Sequence, residues 1–317
     1  MKDLHGRAIW YLRVSVTENC NLRCKYCMPN DKKEIKPKKE ILTLEESFRI
    51  IEACHHLGIT KVRITGGEPL VREGIIPFIK KIAQLEHMQE VTMTTNGILL
   101  EQHAKALKEA GLDRINISLD TLDPHKYHDI TGGGHIEQVL RGIKAAKKYE
   151  LGPIKINTVL IKGFNDDELQ AFATWSDKWG IEVRFIELMP IGEGISWSKE
   201  KYLSAEKILK QMPELQRLEH TKAATAASYG IKGTKTKIGL ITPMSCKFCE
   251  DCNRMRLTAS GRLKMCLHAS DEVDLKEALR THQALEPLIM NAVQLKAYTH
   301  HLEDKSYVQT GMYQIGG

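Results

Sequence analysis

From residue 9 to residue 188 the chain alternates short β-rich runs with longer helical patterns, and this rhythm limits the fold more than any other feature. The strand-like runs are IWYLRVSV (9–16), KVRITG (61–66), EVTMTT (90–95), DRINISL (113–119), KINTVLI (155–161) and EVRFIEL (182–188). Between them, 43–58, 101–111 and 133–150 carry apolar residues at three- and four-residue spacing, the first of them stopped by Gly58. Six β–α repeats predict a parallel sheet with helical crossovers. Six are too few to close an eight-stranded barrel. The expected fold is therefore α/β, an open partial (βα)6 barrel, although a doubly wound open sheet would show the same pattern.

After about residue 200 the rhythm changes. Residues 201–212 predict one more helix, and 221–237 are small, polar and basic, like a linker or exposed loop. A cysteine-rich segment follows, then helical patterns near 273–281 and 285–294. This divides the 317 residues into a β/α domain, 1–215, and a smaller metal-bearing domain, 216–317. No apolar run approaches the roughly 18–20 residues of a membrane span. The opening MKDLHGRAIWYLRVSV lacks the apolar segment and cleavage site of a signal peptide, which predicts a cytoplasmic protein away from membranes. The net charge of +6, from 46 basic and 40 acidic side chains, is mild. The one candidate basic run, 31–40, alternates in sign, so nucleic acid is not expected as a partner.

The eight cysteines are clustered: Cys20, Cys24 and Cys27 in one group, Cys246, Cys249, Cys252 and Cys266 in another, with only Cys54 apart. In a reducing compartment such clusters mean metal or redox chemistry more often than disulfides. A structural zinc site takes four ligands, so the first group would need a distant histidine, of which the chain has 13. A 4Fe–4S cluster also accepts thiolates. With three of them it keeps one iron open, and this loop follows the first strand, where a β/α barrel carries its reactive loops.

Several strands also hold cations among apolar neighbours: Arg13, Lys61, Arg63, Lys155 and Arg184. Alternation puts Lys61, Arg63 and Thr65 on one face of their strand. If helices cover the other face, the cations face the barrel interior. There a buried charge needs a partner, either a private salt bridge or, for five cations together, a polyphosphate.

The motif C-x3-C-x2-C with Tyr26, followed by GGEP at 66–69, resembles the signature of the radical S-adenosylmethionine (SAM) superfamily. Within it, LRVSVTENCNLRCKYCMP, VRITGGEPLVR, TTNG, SLDTL, the C-x2-C-x13-C segment with NRMRL, and the terminal Gly-Gly resemble the GTP 3′,8-cyclases that begin molybdenum cofactor synthesis. The resemblance implies two 4Fe–4S clusters, on Cys20, Cys24 and Cys27 and on Cys249, Cys252 and Cys266. SAM would chelate the open iron of the first, and the guanine of GTP would meet the second. Arg13, Arg63, Thr94 and Lys155 would bind the nucleotide, with Lys61 and Arg184 as phosphate partners; Tyr26, Gly67, Ser118 and Met189 would contact SAM. Arg254 and Arg256 would reach the substrate or the tail, and Gly316-Gly317 would enter the active site beside the arginines. A deoxyadenosyl radical would take hydrogen from ribose C3′, the C3′ radical would attack guanine C8, and a further reduction would give the cyclised product. Implied partners are a low-potential flavodoxin- or ferredoxin-like electron donor, the downstream cyclic pyranopterin monophosphate synthase, and a second copy in a homodimer.

Two positions depart from that family. Glu18-Asn19 stands where Asp-Arg is frequent, and Cys246 offers a fourth thiolate to the second group. Phe248, Asn253 and Arg254 set the register on Cys249 and Cys252, which makes Cys246 a bystander. The competing readings are a radical SAM enzyme with an auxiliary cluster acting on a peptide, and a zinc or iron–sulfur regulatory protein. The second leaves GGEP without a role.

Overall fold

The structure is a computed structural model, and it describes residues 1–28, 40–219, 224–246, 249–300 and 307–316. All six expected strands form: β1 (Tyr11–Ser15), β2 (Lys61–Thr65), β3 (Glu90–Thr95), β4 (Arg114–Ser118), β5 (Lys155–Leu160) and β6 (Glu182–Glu187). They pair in parallel in chain order. The helices α1 (Leu44–His56), α2 (Ile75–Ala83), α3 (Leu100–Glu109), α4 (Pro124–Thr131), α5 (Ile136–Lys148) and α6 (Leu169–Trp179) lie between them. Thr43 and Glu46 start α1 with reciprocal side-chain caps, which satisfy N–H groups that a helix start leaves free.

Each strand turns alternate residues to opposite sides. On β2, Val62 and Ile64 are fully buried in a core shared with Ile50, Ile51 and Ile79 of the helices, while Lys61, Arg63 and Thr65 line a cavity. Apolar side chains face the helices and polar ones the interior. This reverses the apolar filling of a closed eight-stranded barrel.

The chain continues through α7 (Gly194–Lys201), α8 (Ala205–Gln211), β7 (Gln216–Arg217), β8 (Ala227–Gly230), β9 (Lys237–Ile241), β10 (Arg254–Leu257), β11 (Arg262–Lys264) and β12 (Val273–Asp274), then α9 (Leu275–Arg280), α10 (Leu285–Gln294) and α11 (Met312–Ile315). These later strands extend the same sheet, whose order is β12-β11-β10-β1-β2-β3-β4-β5-β6-β9-β8-β7. β10 joins β1 in parallel and β9 joins β6 in parallel, so eight parallel strands form an open arc from β10 to β9. Met255, Leu257, Leu263, Leu275 and Ile289 belong to the same apolar core as Leu12 and Val14. The stretch 221–237, expected as a linker or loop, instead contains β8, which forms an antiparallel hairpin with β9. Its small and polar residues suit a half-covered outer strand, and Gly233, at φ +81°, takes the turn. No helix among the described residues is long and apolar enough to cross a membrane.

Candidate active site

The first cysteine group sits where backbone can approach backbone. The Gly67 amide donates to the Thr17 carbonyl at 2.8 Å and the Glu68 amide to the Asn19 carbonyl at 2.8 Å. A Cβ at Gly67 would lie 2.3 Å from the Asn19 carbonyl oxygen, and one at Gly66 would lie 2.7 Å from that of Thr17. The paired glycines of GGEP therefore let the cysteine loop lie flat against the end of β2. Glu68, fully buried, accepts from the Leu70 amide (3.0 Å), the Thr95 hydroxyl (2.7 Å) and the Asn96 amide (2.7 Å). Asn96 in turn donates to Asn21 at 2.7 Å. GGEP and TTNG thus act as one clamp on the loop. Tyr26 donates its hydroxyl to the buried Asp120 carboxylate at 2.5 Å, and Asp120 also accepts from the Val159 amide at 2.8 Å. Burial pushes the Asp120 carboxyl up to about 6. It also pushes the Cys24 thiol well above its ordinary value and Cys27 to about 12. Such thiols become ligands only when a metal supplies the compensating charge.

The second group lies at the opposite end of the parallel strands. Tyr11 is level with Arg254, and the Trp10 and Tyr11 amides donate to the Asn253 carbonyl, so Cys249 and Cys252 precede the N-terminal end of the parallel strands. β11 runs back antiparallel to β10, with Arg256 level with Lys264, which returns Cys266 to that same end. The five residues of β1 span roughly 13 Å at about 3.3 Å per residue. Two residues absent from the sequence expectation build this end. Arg7 pairs with Asp3 at 2.6 Å and donates to the carbonyls of Cys249 (2.9 Å), Tyr298 (2.8 Å) and Ala297 (2.7 Å). Lys296 donates to the Arg254 carbonyl at 2.9 Å and to that of Met265. Glu187, the last residue of β6 and so at the C-terminal mouth, accepts from the Met244 and Ser245 amides at 2.9 and 3.0 Å and holds the start of the segment that leads back to Cys249. Burial raises the Cys252 thiol, but the Lys296 and Arg254 charges outweigh it and bring the group down to about 7.

Between the two ends runs a cavity of about 640 Å³ lined by all six of these thiols. Arg13, Lys61, Arg63, Thr94, Lys155, Arg184, Arg254 and Arg256 line it too, as do Tyr26, Gly67, Ser118 and Met189. Cys246 is exposed and does not line it. Three of the five strand cations have carboxylate partners: Lys61 pairs with Glu90, and Lys155 and Arg184 share Glu182 at 2.7 and 2.6 Å. Glu90 also pairs with Arg114, a further lining cation. Arg13 and Arg63 have no carboxylate partner among the described residues. Arg63 donates to the Tyr11 hydroxyl at 2.5 Å and to Thr94 at 3.3 Å. Burial raises the Tyr11 phenol, yet Arg63, Arg13 and Lys61 outweigh this and lower it to about 7. Burial, then repulsion from Arg13 and Arg254, lowers Arg256 to about 9. Such a cluster is short of negative charge.

The tail supplies a neutral acceptor. The Gly316 carbonyl accepts from Arg13 at 3.3 Å and from Arg256 at 2.8 Å. Gly316 has φ +68°, and a Cβ there would lie 2.3 Å from the Thr65 hydroxyl. Gly317 lies outside the described residues.

Asn116 and Asn157, on adjacent strands, also line the cavity, and their buried side-chain oxygens have no hydrogen-bond partner. Nor does the buried Nδ1 of His268, two residues after Cys266. Burial, then His300 and Arg256, lowers His268 to about 3, so its ring is neutral. An unsatisfied buried polar atom costs about 1–3 kcal/mol, and its place on a cavity wall marks where a ligand would satisfy it. The sequence signal for the asparagines was a polar residue at an inward strand position, which resembles any solvated strand face. The carboxylates Glu90 and Glu182, as first residues of their strands, resemble ordinary strand-edge charges.

Residues 14–176 match the Radical SAM superfamily, and residues 181–302 match the family described as Molybdenum Cofactor Synthesis C. A GTP 3′,8-cyclase of Peptoclostridium acidaminophilum is 48% identical over 99% of this chain and 98% of its own length. One of Alkaliphilus oremlandii is 48% identical over 100% of both chains. One of Clostridium botulinum is 47% identical over the same full span. Among solved structures, Streptococcus suis SuiB bound to S-adenosylmethionine superposes with a TM-score of 0.62, at 15% identity, covering 97% of this chain and 78% of that one. At that identity the likeness extends to the fold.

Proposed function

The chain belongs to the GTP 3′,8-cyclase family of the radical SAM superfamily, and on that premise we propose how its residues divide the work. Its reaction converts GTP to (8S)-3′,8-cyclo-7,8-dihydroguanosine 5′-triphosphate, the first step of molybdenum cofactor biosynthesis, with SAM and 4Fe–4S clusters as cofactors. The clusters and SAM supply the one-electron chemistry, and the protein supplies orientation.

The observation that carries the assignment is two sets of three thiols at opposite ends of one cationic cavity. Cys20, Cys24 and Cys27 would hold the cluster at the C-terminal mouth, with Tyr26, Gly67, Ser118 and Met189 around SAM. Cys249, Cys252 and Cys266 would hold the other at the N-terminal mouth. Arg13, Arg63, Thr94 and Lys155, with Lys61 and Arg184, would hold the nucleotide between them. Its ribose C3′ would then face the SAM side and its guanine the second cluster, and this positioning is the protein's largest contribution. Arg254, Arg256 and Gly316-Gly317 would complete the wall beside the substrate. The exposed Cys246 takes no part.

The two halves, 1–215 and 216–317, are units of function, each carrying one cluster, joined through one sheet. The half-buried first thiols suit a low-potential donor of flavodoxin or ferredoxin type docking near them. A homodimer, cytoplasmic location and hand-over to cyclic pyranopterin monophosphate synthase complete the reading.

Anaerobic incubation with GTP, SAM and dithionite, followed by mass analysis, tests it directly. The expected result is cyclised nucleotide and about eight irons per chain. Replacing the first three cysteines by alanine should abolish SAM cleavage and leave one cluster, while Cys246→Ser should leave the iron content unchanged. Loss of the second cluster in Cys246→Ser would reverse that assignment.

A further inference from the structure

Lys296 lies behind the second group of thiols and does not line the cavity. It is only 3% exposed. Its ammonium donates to the carbonyl of Arg254, two residues after Cys252, and to that of Met265, just before Cys266. Its charge is thereby held beside the backbone that carries the Cys252 and Cys266 thiols. Among the described residues Lys296 has no carboxylate partner. Arg7, close by, differs in having its charge matched by Asp3. Burying an ammonium against neutral acceptors alone is costly, so an anion is expected to face it. The groups in place to be that anion are the thiolates of Cys252 and its neighbours. Three thiolates around a doubly charged iron–sulfur core leave that centre net negative.

We propose that Lys296 is the buried counter-charge of the second iron–sulfur centre, raising its reduction potential from the side away from the substrate. This rests on the reading that Cys249, Cys252 and Cys266 hold such a centre. Adding one electron makes the centre more negative, and a nearby buried cation stabilises that reduced form. The placement leaves the substrate-facing side of the centre free while its electronics are set from behind. A residue that served only as packing would depend on shape and would leave the potential where it was.

The test is a redox titration of the anaerobically loaded full-length chain, followed by electron paramagnetic resonance. The second centre is recognised as the one whose signal changes on adding GTP, and the first serves as an internal control. Lys296→Met and Lys296→Gln should retain both centres and shift only the second midpoint to more negative potential, with Lys296→Arg close to wild type. An unmoved midpoint in either loaded neutral variant overturns the proposal. If the neutral variants fail to load the second centre but Lys296→Arg loads it, the need for charge is upheld. Equal loss of that centre in all three variants overturns it in favour of packing. Wild-type protein with only about four irons would remove the two-centre reading and this proposal together, whereas an unmoved midpoint with eight removes this one alone.

Discussion

Arg13 and Arg63 face the same cavity as Lys155 and Arg184, but the two pairs stand in different charge states of balance. The first pair has no carboxylate among the described residues, while the second already shares Glu182. Arg63→Ala should therefore remove an uncompensated phosphate contact and cost on the order of 1.5–3 kcal/mol, roughly ten- to a hundred-fold in GTP affinity. SAM binding should be unchanged, and unaltered GTP affinity would return Arg63 to a structural role. On the proposed reading, Glu182 competes with phosphate for the same two cations. Glu182→Gln should consequently bind inorganic tripolyphosphate more tightly by calorimetry while melting at a lower temperature, since two half-buried cations lose their partner. Weaker tripolyphosphate binding would mean that Glu182 positions the cations rather than competing for them.

At the scale of elements, two short segments hold the ends of the cavity. The terminal turn α11 presents the Gly316 carbonyl to Arg13 and Arg256. Gly316→Ala places a methyl against Thr65 at a backbone angle that disfavours side chains. It should behave as deletion of Gly316-Gly317 does: both clusters and SAM binding are kept, and cyclised product is lost. Full activity of both variants would show the tail to be idle. At the other end, Asp3 and Arg7 tie the N-terminal turn to Cys249 and to residues 296–298. Burial pushes the Asp3 carboxyl up, but its hydrogen bonds and charge pairing with Arg7 outweigh this and hold it below 3.8. A depressed carboxyl contributes stability that is present above its ordinary value and lost as pH falls through its folded-state value. Wild type should then lose thermal stability below about pH 3.8 in a component that Asp3→Asn lacks. Arg7→Ala leaves Asp3 buried and unpaired, and should cost about 3–5 kcal/mol in denaturant unfolding.

At the scale of the molecule, the parallel arc is completed from both sides by strands late in the chain, β9 beside β6 and β10 beside β1. A fragment ending at residue 215 would expose both edges of a parallel sheet, which is a template for aggregation. It should associate on size-exclusion chromatography and unfold without a cooperative transition. A monomeric, cooperatively folding fragment would instead establish 1–215 as an independent domain.

The six early strands, their inward cations and both cysteine triplets were legible in the sequence, because side-chain alternation and short-range spacing are local properties. The family resemblance also picked out GGEP and TTNG, though not that Glu68 and Asn96 join them into one clamp. What the chain order could not reveal is which distant strands become neighbours. β10 pairs in parallel with β1 from the far end of the chain, a separation that announces nothing locally, and the small residues before β9 read as a linker. That pairing alone sends the second triplet to the opposite end of the cavity from the first, through the level alignment of Tyr11 with Arg254. The partners Glu90 and Glu182, the unsatisfied Asn116 and Asn157, and the buried Lys296 become meaningful only there. Whether a charged or polar side chain is matched depends on what lies across a few ångströms of space, and only tertiary structure sets that distance.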